Sequence, residues 1–92
     1  MLVVAIPAFA AAPPLEQSLT RLIEAAGEYR TALEHVLPFR ERELARATEN
    51  LARRRELAAQ GIVARREVDE AERAVAVARE NVAQLHRDIA QT

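Results

Sequence analysis

Five arginines crowd around one glycine: Arg53, Arg54 and Arg55 precede Gly61, and Arg65 and Arg66 follow it. Guanidinium groups at that density can grip carboxylates or phosphates, but a charge run on a helix is most often a solvated face. The other chemistry-bearing residues are isolated. His35 and His86 lie 51 residues apart, and neither has a second ligand at helical spacing. Ser18 is the only serine, so no Ser-His-Asp set can be assembled, and no Gly-rich loop is present to cradle a phosphate. The absence of Cys removes disulfides, thiolate zinc sites and thiol nucleophiles. These residues therefore read as non-enzymatic, with no cofactor and no metal site.

What positions the arginines follows from composition. The chain has 92 residues, half of them hydrophobic, with 20 Ala and only 3% aromatics. Such methyl-sized apolar content cannot fill a thick core. Ala, Leu, Glu and Arg dominate while Gly (2) and Pro (4) are scarce, the composition of long helices packed side by side. An all-α chain is expected. Thirteen basic residues, all Arg, balance fourteen acidic ones to a net charge of −1. No global field remains to attract nucleic acid or anionic lipid, and the stacking aromatics of a nucleic-acid binder are missing too.

Residues 1–12 are apolar, too short to span a bilayer, and end in small residues that suit signal peptidase, Ala8-Phe9-Ala10 before Ala11. They read as the remnant of an export signal or as an apolar tail, although no basic residue precedes Arg21. Pro13-Pro14 then forms a break. Over 15–37, apolar residues at Leu15, Leu19, Leu22, Ala26, Tyr29, Leu33 and Val36 follow the alternating four-three spacing of a coiled coil. Beyond Pro38 the stripe continues through Leu37, Arg40, Leu44, Ala47, Leu51, Arg54 and Ala58, displaced by a stutter between Leu33 and Leu37. Pro38 removes one helical hydrogen bond and crowds the carbonyl of Glu34. The sequence thus permits one helix kinked there or two helices meeting near Leu37. The lack of a nearby Gly, Asn or Ser favours the kink.

A second break is sharper. The first hairpin helix, 38–60, ends at Gln60, and Gly61 is placed for the left-handed position of a Schellman ending. Ile62 follows where it can touch Leu57. The turn spans 61–64, and a second helix, 65–91, carries the seam Val68, Ala71, Val75, Ala78, Val82, Leu85 and Ile89 without a single spacing error. So short a connection forces an antiparallel α-helical hairpin, with Leu44, Ala47 and Leu51 facing that seam. The stripe of 15–37 then has no partner, which predicts a homo-oligomer or a third helix folded back at Pro38. Intrahelical pairs are expected from Glu43 to Arg46, Glu49 to Arg53 and Asp69 to Arg73.

The string from Arg53 to Ala71 resembles the hairpin tip of periplasmic adaptor subunits, the membrane fusion proteins of tripartite efflux pumps and type I secretion systems. In that family Arg, three residues, Leu, six residues and Ser or Thr form the tip that docks on an outer-membrane channel. Arg53 and Leu57 match, while Ala64 stands in the hydroxyl position and leaves the second helix without a side-chain N-cap. The resemblance covers about residues 40–90. It implies transmembrane transport or efflux in the periplasm or cell envelope. The implied partners are an outer-membrane channel protein, an inner-membrane transporter, or both. The lipoyl-like and β-barrel domains of such adaptors have no counterpart, so the chain reads as a stand-alone hairpin or a fragment. The alternatives are a self-associating structural coiled coil, a membrane-surface peptide anchored by residues 2–12, and a fragment of an outer-membrane efflux channel, whose hairpins also place a Gly before the second helix.

Overall fold

The computed structural model describes residues 14–92, and the export-signal reading of 1–12 lies outside them. Two helices account for nearly all of that length: α1, Leu15–Ala59, and α2, Arg65–Gln91. Pro14 enters α1 with φ −59°, its carbonyl accepting the N–H groups of Gln17 and Ser18 at 3.1 Å each, and Glu16 places a negative charge in the first turn. At 1.5 Å per residue, α1 is a rod of about 68 Å and α2 one of about 40 Å. They pack against each other as an antiparallel hairpin, the expected fold.

α1 runs unbroken through Pro38. Of the two arrangements the sequence permits at that proline, the single helix is the one present, and the division into 15–37 and 38–60 marks a change of phase and not a turn. The fold-back that would have made a three-helix bundle is absent among the described residues. Its physical reason is visible in the packing. Leu33, Val36 and Arg40, on both sides of Pro38, line one groove with Asn81, Gln84, Leu85 and Asp88 of α2. A turn at 37 or 38 would break that groove in two.

Between the helices, Leu51, Val68, Ala71, Val75, Ala78 and Leu85 are buried, and Leu44, Ala47, Val82 and Ile89 are half-buried. These residues form the contact between α1 and α2. It is thin, because alternate layers of α2 carry Ala, and Ala lets helix axes approach closely while burying little area. Below the level of Leu33, α1 projects beyond the end of α2. There Leu15, Leu19, Leu22, Ile23 and Tyr29 are all exposed.

Candidate functional site

The tip is built by the end of α1. Gly61 has φ +76°, a conformation open to glycine and strained for a side chain, and the N–H of Ile62 reaches the carbonyl of Leu57 at 2.9 Å while that of Gly61 reaches Ala58 at 3.0 Å. Those two bonds are the Schellman pair, which satisfies carbonyls a helix end otherwise leaves open. Leu57 is half-buried, whereas Ile62 remains largely exposed.

The arginines around this turn have divided tasks. Arg54 donates to Glu67 of α2 at 2.9 Å, and Arg55 donates to Glu72 at 3.3 Å, so both reach across the seam and tie the two helices together near the tip. Partly solvated pairs of this kind contribute about 0.2–1 kcal/mol each. Arg65 and Arg66 pair within α2, with Asp69 at 3.3 Å and Glu70 at 3.2 Å. Arg53 alone of the first three makes no cross-helix hydrogen bond or ion pair with the described residues. Its guanidinium stands 3.9 Å from Glu49 with its side chain two-thirds exposed.

The Arg53 to Glu49 pair is the expected one, but two other expected intrahelical pairs are replaced. Glu43 pairs with Arg40 at 3.1 Å and not with Arg46, and Asp69 pairs with Arg65 and not with Arg73. Each acid has an arginine three or four residues away on either side. Sequence spacing alone gives both pairs similar access, and side-chain rotamers select between them.

Arg53 and Leu57, four residues apart, share one face of the last turns of α1. Ala64 stands across the turn from them, exposed, as the N-cap of α2 with φ −78° and ψ 154°. No side-chain cap bonds there, and only its carbonyl accepts the Glu67 N–H at 3.0 Å. That extended backbone is the one an N-cap serine adopts, and Glu67 sits at the third helical position, where a capping box needs its acid. Ala64→Ser should raise hairpin stability by roughly 0.5–2 kcal/mol, read as a higher thermal midpoint. The gain should fall toward the low end, because Arg54 already holds the Glu67 carboxylate. An unchanged midpoint would show that the hydroxyl finds no N–H to accept.

The structure adds a feature that sequence spacing did not disclose. A shallow groove at the tip is lined by Arg55, Ala58, Ala59, Val63, Arg65, Val68 and Glu72. Its lining does not include Arg53 or Leu57, so the tip has two distinct surfaces. Val63 is the residue that a reading by helical period missed, since it lies in the turn between two periodic segments. His35 and His86 are both exposed. Among the described residues, no group of three potential ligands could hold a metal ion, and no helix is long and apolar enough to cross a membrane.

Comparison of the chain with protein-family models, with curated proteins and with solved structures found no match.

Proposed function

We propose that this chain is a non-enzymatic docking protein of the adaptor type, presenting its hairpin tip to the coiled-coil mouth of an outer-membrane channel in an envelope efflux or secretion system. The observation that carries the reading is the division among the tip arginines. Arg54 and Arg55 clamp α2, while Arg53, on the same face as Leu57, is left facing solvent with a single long contact to Glu49. A guanidinium free of structural duty beside a half-buried leucine is the combination from which a compact contact is built: a charge-assisted bond to a carboxylate or carbonyl, flanked by apolar area. The Schellman turn holds both residues on helix and not on a loop, which fixes their geometry before the partner arrives. In this reading the protein works in the periplasm or cell envelope, and an inner-membrane transporter is its second partner.

The test is direct binding of the full chain to the periplasmic hairpin end of an outer-membrane efflux channel from the same cell. Arg53→Asp should weaken that binding by at least about thirtyfold, the loss expected of a central contact worth ~2 kcal/mol. Its far-ultraviolet circular dichroism should match the parent, because only the Glu49 contact is lost. If Arg53→Asp binds as the parent does, the face of Arg53 and Leu57 is not the docking surface.

A further inference from the structure

The projecting part of α1 carries a heptad pattern that runs from Leu15 up to Leu33, the level at which α2 ends. Leu19, Ala26 and Leu33 occupy the first core position of successive heptads (a), and Leu15, Leu22 and Tyr29 the second (d). The positions flanking the a side are Glu16, Ile23 and Arg30, and those flanking the d side are Ser18, Ala25 and Ala32. Ile23 is 71% exposed, more than almost any other large apolar residue described, and the hairpin gives it no role.

We infer that a second copy of this chain covers residues 15–33, running antiparallel, in the register that lays Leu15 on Leu33 of the second copy and Glu16 beside its Arg30. When two heptad helices run in opposite directions, a layers meet d layers, and the residues flanking a meet their own kind across the seam. In this register the core layers are Leu15 on Leu33, Leu19 on Tyr29 and Leu22 on Ala26. The flanking row then places acid on base at both ends and Ile23 on Ile23 of the second copy at the two-fold axis. The isologous contact closes, as a two-fold dimer must.

The other arrangements satisfy fewer groups. Sliding one heptad one way sets Glu16 against Leu37 and Arg30 against Ile23. Sliding the other way sets Glu16 against Ile23 and carries Tyr29 and Leu33 past the described part of the second copy's α1. A parallel, in-register pair stacks Tyr29 on Tyr29 and joins no opposite charges, because its flanking contacts set Ala25 against Arg30 and Ser18 against Ile23. Arg30 at present holds Glu34 at 3.1 Å, with both side chains more than half exposed, and its five donors allow it to keep that bond while gaining Glu16.

The length also fits. α2 ends against the part of α1 that begins at Leu33, as the groove shared by Leu33, Val36, Leu85 and Asp88 records. In the inferred register the second copy's α1 begins at that same level. It therefore takes up the α1 surface from Tyr29 to Leu15 that α2 leaves exposed, and the second copy and α2 meet at the Leu33 layer. Each dimer then carries its two tips at opposite ends, about 110 Å apart at 1.5 Å per residue. The pairing does not involve Arg53 or Leu57, so it stands or falls separately from the tip's docking.

The experiment uses the full chain, whose lack of cysteine permits a single label site. Sedimentation equilibrium should show a dimer at micromolar concentration. With a nitroxide attached after Arg42→Cys, an exposed site clear of both seams, pulsed electron paramagnetic resonance should give a separation of about 55 Å, from the helical rise. Glu16→Arg alone and Arg30→Glu alone should each raise the dimer dissociation constant about tenfold at low salt, and together they should restore it. A label separation under about 30 Å would show parallel pairing with both tips at one end, and would overturn the inference. So would a monomer at 100 times the working concentration, which would mean that residues 1–13 or a different protein cover the stripe. A trimer or larger assembly would overturn it as well. Failure of the double substitution to restore pairing would rule out this register.

Discussion

Val75→Asp should unfold the hairpin, while Val77→Asp, two residues away, should leave it folded. Val75 is 5% exposed in the cluster formed with Leu51, Val68 and Ala71, whereas Val77 is 60% exposed on the opposite side of α2. The first substitution gives up the burial of an isopropyl group and places a carboxylate in an apolar cluster, a combined cost on the order of 4 kcal/mol. The second changes a solvated surface and should move stability by less than about 0.5 kcal/mol. Two small facts make the contrast sharp. The nearest seam neighbours of Val75 along α2 are Ala71 and Ala78, and the larger residues of its cluster, Leu51 and Val68, are apolar and offer a carboxylate no hydrogen bond. The remaining apolar seam is also thin, so a loss of this size is a large share of the whole. Circular dichroism at 222 nm should fall to that of a largely unfolded chain for Val75→Asp and stay at the parent value for Val77→Asp. Equal behaviour of the two would mean that the helices do not meet through the Val68 to Leu85 face.

How far the sequence discloses this structure depends on whether each feature is set locally. The α2 seam is legible because period alone determines it: Val68 through Ile89 keep one face without interruption, and any helix there must bury that face. The turn is equally legible, since Gly61 followed by Ile62 specifies a Schellman ending by backbone chemistry that needs no partner. That Arg53 and Leu57 share a face also follows from spacing.

The cross-seam bonds from Arg54 to Glu67 and from Arg55 to Glu72 do not follow. They depend on the axial offset and rotation of one helix against the other, quantities set by how Ala and Val layers interdigitate. These bonds are what separates the duties of the three consecutive arginines, so the feature that singles out Arg53 was invisible until the helices were placed together. The groove beside Val63 is hidden for the same reason.

Pro38 is the position where local and non-local terms conflict, and Pro38→Ala should stabilise the chain by about 2–3 kcal/mol. The ring deletes the N–H that would bond the Glu34 carbonyl and crowds that oxygen, so local chemistry alone would end the helix at Leu37. The helix nevertheless continues, because α2 packs on α1 both before and after the proline, with Leu33 and Val36 on one side and Arg40 on the other. Packing carries the chain past a local penalty. Pro38 itself is exposed, so its replacement removes the penalty without emptying any part of the seam. The expected result is a thermal midpoint raised by several degrees, with unchanged dependence on the charge pairs at the tip. Gly at the same position should recover less than Ala by up to about 1 kcal/mol, since it restores the hydrogen bond but adds backbone freedom to the unfolded chain. A midpoint that does not rise with Ala would show that the helix is not continuous at residue 38, and that the stripes before and after it belong to separately folding units.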